Sequence, residues 1–208
     1  GQFTGEISPC MLKELGIKLV MIGHSERRHV FGESDAEENR KVKSALKHGI
    51  RPLLCIGETA EEKKYGISGE ILRQQLKIGF YEIDPEECKN IWVAYEPVWS
   101  IGVNGIPATA EYAQKMHMEI KKALREIFGD NAEQIPVLYG GSVNPENADQ
   151  LILQPAIDGL FVGRAAWDAD AFDKLIQHSI HTYKQNNIYQ WFILPLGCVK
   201  LILNLLQK

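Results

Sequence analysis

Residues 91–102 read Ile-Trp-Val-Ala-Tyr-Glu-Pro-Val-Trp-Ser-Ile-Gly (IWVAYEPVWSIG), and the first five of them, Ile91 to Tyr95, form an apolar run without in/out alternation. A strand with one solvated face alternates. An unbroken run suits a strand covered on both faces, the habit of parallel sheets flanked by helices. The same grammar recurs in KLVMIG (18–23), RPLLCIG (51–57), IPVLYGG (135–141) and DGLFVG (158–163), each ending in glycine or a polar residue.

Amphipathic helical stretches lie between these runs. One extends from about Asp35 to His48, with Ser34 or Asp35 as N-cap and Gly49 beyond its end. Others are expected over Ser68 to Ile78, Thr109 to Phe128, Pro145 to Leu153 and Asp170 to Lys184, with a shorter one over Met11 to Leu15. The chain is therefore α/β, with a βα unit repeated five times. Two architectures accommodate that: a five-stranded doubly wound sheet, or part of an eight-stranded (β/α)8 barrel, whose complete form takes about 250 residues. The helix at Met11 to Leu15 has no strand in front of it, so the barrel reading implies a partial barrel whose start is missing. Residues 1–187 are expected to form one domain. The apolar tail 188–208, interrupted by Gln190, Pro195 and Lys200, makes a poor transmembrane helix. It reads as a packed terminal helix or as a non-native extension.

Composition limits the partners. The 208 residues are 45% apolar and 24% charged with a net charge of −4, an ordinary globular balance that favours neither nucleic acid nor an anionic membrane surface. The four cysteines form no CxxC pair and no Cys/His cluster with zinc spacing, so a reduced, cytoplasmic protein without a metal cluster is expected.

Polar groups collect just past the strand ends: His24 and Glu26, Glu58, Glu96, then Gly140-Gly-Ser142 and Gly163-Arg-Ala165. In parallel α/β folds that edge binds ligands. Glu96, fixed by Pro97 and next to Trp99, sits where water can be shut out, which raises a carboxylate's pKa and strengthens it as a base. A lone glutamate is more often simply paired to a Lys or Arg. Here the glycine-bearing loop that follows, between the stiff Pro97-Val98-Trp99 and a helix, reads as a lid over a site. His24 precedes a short helical turn whose positive end disfavours the imidazolium, so a neutral ring can donate to a carbonyl oxygen; for an isolated histidine a backbone bond is the commoner fate. The YGGSV and VGRAAW loops, each followed by a helix, offer backbone N–H groups to an anion, and together they favour a small phosphorylated ligand. Glu58, Asp158 and the cysteines are assigned structural roles, Cys55 as a buried packing residue, and Arg28 with Glu33 as a structural ion pair. A base, a neutral electrophile, a phosphate cradle and a lid suit proton abstraction beside a carbonyl.

The motifs FTGEIS, GHSERRHVFGE, CIGE, AYEPVWSIG, YGGSV and DGLFVG, in that order, resemble the triosephosphate isomerase family from Gly1 to about Lys184. The resemblance implies a partial TIM (β/α)8 barrel lacking about the first three βα units. It also implies an isomerase of dihydroxyacetone phosphate and D-glyceraldehyde 3-phosphate in glycolysis and gluconeogenesis, needing no cofactor. Glu96 then matches the catalytic base and His24 the electrophile, a pairing of glutamate and neutral histidine that is this family's own established chemistry. Glu26 matches a supporting carboxylate. Residues 97 to 107 match the lid, including Pro97, Val98, Trp99, Ser100 and Ile101, and Gly102, Ser142, Gly163 and Arg164 match phosphate-binding positions. The loop at Phe3 and Thr4 matches one that inserts into a partner subunit, so a homodimer is implied.

Three departures accompany the resemblance. The family's first-loop Asn and Lys are absent, so the chain alone is expected to have little or no activity. The lid reads GVNGIPAT, where many members have Gly-Thr-Gly-Lys-Thr. Arg164 replaces the second glycine of the last phosphate loop. Two contrasting readings stay open: an isomerase of a four-carbon ketose phosphate such as erythrulose phosphate, and a non-catalytic degenerate relative.

Overall fold

The computed structural model describes residues 3–102, 105–185 and 192–195. Helix α1 (Pro9–Glu14) leads into strand β1 (Leu19–Ile22) and the short helix α2 (Ser25–His29). Then follow α3 (Asp35–Lys47), β2 (Arg51–Ile56), α4 (Ala60–Lys64), α5 (Ser68–Gly79) and β3 (Trp92–Tyr95). The remainder is α6 (Ala110–Phe128), β4 (Val137–Tyr139), α7 (Ala148–Ile152), β5 (Gly159–Val162), α8 (Ala169–Gln185) and β6 (Phe192–Pro195).

Every described strand pairs in parallel with the next, in the order β1-β2-β3-β4-β5-β6. A doubly wound sheet reverses its strand order at a switch point. A strictly sequential order has none. Since β-helix-β crossovers share one hand, it sends all the helices to one face. This is the winding of a barrel, and the fold is part of one, as expected.

The sheet's two faces divide by residue parity. Leu54, Ile56, Val93 and Tyr95 pack outward against helix residues such as Val42, Leu76 and Ile120. Leu53, Cys55, Trp92, Ala94, Leu138 and Phe161 form a separate cluster on the inner face. Continuing the β3 alternation carries Glu96 to the side of Trp92 and Ala94, which is how a carboxylate comes to point inward.

Helix ends follow local chemistry. Ser34 caps α3 in a reciprocal capping box with Glu37, and Thr59 does the same for α4 with Glu62. Helix α4 was not anticipated, although the Thr-x-x-Glu signature announces it. Helix α7 begins three residues later than Pro145 implied. The Asn144 side chain accepts the N–H groups of Glu146 and Asn147 at 3.0 Å, and Asn147 accepts that of Asn144 at 2.9 Å. These turns capture the donors that would have opened the helix.

The proposed boundary near residue 187 and most of the 188–208 tail lie outside the described residues. Within the tail, residues 192–195 are a strand and not a helix, in register with Gly159–Val162. The free edge of β5 offers unpaired backbone groups to an apolar Phe-Ile-Leu segment, and an edge strand tolerates the proline that ends it. Among the described residues no helix is long and apolar enough to cross a membrane, and Cys10, Cys55 and Cys88 are free thiols.

Candidate active site

Glu96 is pinned before its side chain is considered. Its N–H donates to the Ile56 carbonyl at 2.7 Å, and the Gly140 N–H donates to the Tyr95 carbonyl at 2.8 Å. Neighbouring strands approach so closely that a Cβ on Gly57 would fall 1.9 Å from the Glu96 carbonyl oxygen, and one on Gly140 would fall 3.0 Å from Glu96 Cγ. Only glycine fits at either place. The buried Gln75 amide of α5 grips Gly57 at both ends, accepting its N–H at 2.8 Å and donating to its carbonyl at 3.1 Å.

The Glu96 side chain is 2% exposed. Burial pushes its pKa up to about 8; the Cys55 thiol, the Ser25 amide and the Arg28 charge pull it partly back. Neither oxygen makes a well-formed hydrogen bond, so the carboxylate is desolvated and free to act on an incoming group.

His24 faces it, with Nε2 3.3 Å from Glu96 Oε1. The ring caps α2: the Glu26 N–H donates to Nδ1 at 3.3 Å, which makes Nδ1 the acceptor and leaves the proton of the neutral ring on Nε2. Burial lowers the His24 pKa, opposed by the Glu26 charge. The neutral state expected from the helix end is therefore enforced chiefly by lost hydration. Glu26 is exposed, and its charge reaches both His24 and Glu96.

The segment after Glu96 is a 3-10 turn, Val98–Ser100. Pro97 and Ser100 are buried, while Val98, Trp99 and Ile101 are half-buried. Residues 103 and 104 of the expected lid lie outside the described residues. Glu58, fully buried, accepts hydrogen bonds from Trp99 Nε1 at 2.9 Å, from Tyr112 Oη at 2.8 Å and from Tyr95 Oη at 3.0 Å. It thus anchors the tryptophan of this segment, a task its position in CIGE did not disclose because its donors lie far along the chain.

Both glycine loops meet this segment. Ser142, held at φ 46°, donates its hydroxyl to the Ser100 carbonyl. Arg164, exposed in the 3-10 turn after Gly163, donates to the Gly102 carbonyl at 2.5 Å. Gly102, Ser142, Gly163 and Arg164 are therefore brought to one mouth. Neither loop runs straight into a long helix as anticipated: the Asn144 turn and the Arg164–Ala166 turn intervene. Phe3 and Thr4 stand apart from this mouth in an exposed loop, Phe3 at 79% exposure.

The Arg28–Glu33 pair is corrected. Helix α2 turns Arg28 inward, to Asp35 and Glu38, and Arg27 outward, so that Glu33 is taken by Arg27 and Lys41. Asp158 is structural as expected, paired with Lys121 at 2.7 Å and accepting the Val137 N–H at 2.9 Å.

Residues 1–179 match the family model described as triosephosphate isomerase. The chain is 50% identical over 173 residues to L-erythrulose-1-phosphate isomerase of Rhizobium etli, covering 83% of this chain and 64% of that protein. It is 45% identical over 179 residues to triosephosphate isomerase of Chloroflexus aurantiacus, covering 86% and 71%. With triosephosphate isomerase of Fusobacterium nucleatum it shares 48% over 178 residues, covering 85% and 70%. With that geometry and these similarities together, the chain belongs to the triosephosphate isomerase family.

Proposed function

We propose that the full-length protein interconverts dihydroxyacetone phosphate and D-glyceraldehyde 3-phosphate. The observation that carries this reading is the 3.3 Å approach of His24 Nε2 to Glu96 Oε1 at the carboxyl edge of the sheet. A substrate lying against both would present a carbon-bound hydrogen to the carboxylate and the adjacent carbonyl oxygen to the ring N–H. Glu96 takes the proton, the electron pair moves onto the oxygen, and Nε2–H steadies the enediolate. The proton of the neighbouring hydroxyl is passed to that oxygen by way of His24 Nε2, and the protonated carboxyl then returns its proton to the carbon that bore the original carbonyl as the new carbonyl forms on the other. Glu26 supports the histidine from outside. Gly102, Ser142, Gly163 and Arg164 hold the phosphate. The segment Pro97–Ile101 closes the mouth against water, which would otherwise release phosphate from the enediol. The steps involve proton transfers alone and need no cofactor.

The working unit in this reading is a cytoplasmic homodimer joined through the loop at Phe3 and Thr4. The exposed apolar residues Phe3, Ile7, Met11 and Leu15 support it as an interface of matching chemistry.

A second substrate, L-erythrulose 1-phosphate, is favoured by Arg164, which changes the mouth, and by the name of the 50% identical relative. Measuring kcat/KM on three- and four-carbon phosphates, with Glu96→Gln as control, separates the two. A higher value for the three-carbon pair supports the first reading and a higher value for the four-carbon compound supports the second. Turnover that survives Glu96→Gln sinks both.

A further inference from the structure

Trp99 is gripped by three side chains, and two of them come from one short stretch of chain. Its indole N–H donates to the buried carboxylate of Glu58 at 2.9 Å. Tyr112 of α6 packs edge-on against the indole, with ring centroids 5.5 Å apart, and sends its own hydroxyl to the same carboxylate at 2.8 Å. Lys63 of α4 lies over the ring: its Nζ stands 3.2 Å from the Trp99 centroid and 4.6 Å from that of Tyr112. The backbone is fixed as well, since the Val98 N–H donates to the Glu58 carbonyl at 3.0 Å.

Four residues, Thr59 to Glu62, separate Glu58 from Lys63, and the fold of that stretch decides where the ammonium goes. Thr59 caps α4 in its capping box with Glu62, so the chain turns into a helix directly behind Glu58. That turn brings Lys63 back over the indole whose N–H Glu58 holds. An exposed lysine ordinarily carries its ammonium out into water. Lys63 is exposed, yet its ammonium rests against two aromatic rings.

Outward rotation of the indole would take a hydrogen bond from a carboxylate that is fully buried, which is unfavourable because water cannot replace it there. The ammonium opposes the same rotation, because its attraction to the ring is lost when the ring leaves. Trp99 lies three residues beyond Glu96, and Pro97 with the 3-10 turn Val98–Ser100 makes that connection stiff. The orientation of the indole therefore fixes the start of the segment that follows the base.

We propose that Lys63 is a positioning residue for the lid: its ammonium, laid on the ring, keeps the Trp99 indole locked to Glu58 and so sets the segment 97–101 for closure over the substrate. It acts through Trp99. The proposal rests on the reading of that segment as the lid, and it adds the cation that holds it.

The test follows the Trp99 indole N–H in the full-length protein, as wild type, Lys63→Met and Lys63→Arg. Indole nitrogens are labelled with 15N, and the Trp99 signal is identified by its loss in Trp99→Phe. Methionine keeps an apolar stem and removes the charge, whereas arginine returns a cation to the ring. Solvent exchange of the Trp99 N–H is expected to quicken about threefold in Lys63→Met, the weight of one exposed cation on an aromatic face, and to stay at the wild-type rate in Lys63→Arg. The Trp92 signal serves as the internal reference. The value of kcat/KM for the isomerisation should fall by a similar factor in the methionine variant alone. A lysine that merely stabilised α4 would lower the melting temperature and leave exchange at Trp99 unchanged, and that result overturns the proposal. Faster exchange with no loss of kcat/KM overturns it too, since the indole would then be held without consequence for the lid. A wild type without isomerase turnover defeats the functional reading separately, and the exchange rates still decide whether Lys63 locks Trp99.

Discussion

Glu96 is held where its own charge is penalised, and that penalty has consequences for both rate and stability. Burial raises its pKa to about 8, above the value near 4.3 of a glutamate in an unfolded chain. Between those values the folded state binds more protons than the unfolded state, so the group's contribution to stability falls as pH rises through that window. Glu96→Gln removes the titration. We expect the variant to melt higher than the wild type at pH 8 and the difference to shrink toward pH 5, as read by calorimetry; a difference independent of pH would contradict the burial argument. Position matters as much as charge. Glu96→Asp withdraws the carboxylate by about a methylene, and a misplacement near 1 Å lowers rate by about 10²-fold. Steady-state kinetics of the full-length protein should place that loss in kcat with KM little changed, and an unaltered kcat would remove Glu96 from the reaction.

Elements hold the site through their ends. Strand β2 ends at Gly57, gripped on both polar groups by Gln75 of α5, and the Glu96 backbone lies against that glycine. Gln75→Leu keeps the bulk and orphans a buried N–H and C=O, at about 1–3 kcal/mol. Chemical denaturation should register that loss, accompanied by a lower kcat because Gly57 borders Glu96; a variant as stable as the wild type would show that water replaces the amide. Helix α3 contributes in a different way. Its Ser34–Glu37 capping box was readable in advance from residue types three apart. Glu38, one residue further on, was not, because only the packing of α3 against the β1 end reveals that it is buried. The Arg28 pairing shows the same boundary. Arg27 and Arg28 are adjacent and chemically alike, and the hand of α2 alone sends one outward at 41% side-chain exposure and the other inward at 8%.

The assembled chain presents a spaced apolar series at Phe3, Ile7, Met11 and Leu15, in the exposed N-terminal loop and around α1. If this is the dimer surface, light scattering at micromolar concentration should give a dimer for the wild type and a monomer for Phe3→Glu; a variant that remains dimeric would move the interface elsewhere.

The order of β1 to β5 and of the longer helices between them, and the N-cap of α3 at Ser34, were legible in the chain, because each depends on residues within a turn or a strand of one another. The choice between a barrel and a doubly wound sheet needed the pairing order of the strands. Glu58 finds its donors 37 to 54 residues away, Arg28 reaches Cys55 across 27 and Arg164 reaches Gly102 across 62. Such partners are selected by distance in space and by exclusion of water. Both come into being only when the sheet curls and the helices cover it, so no local pattern of residues encodes them.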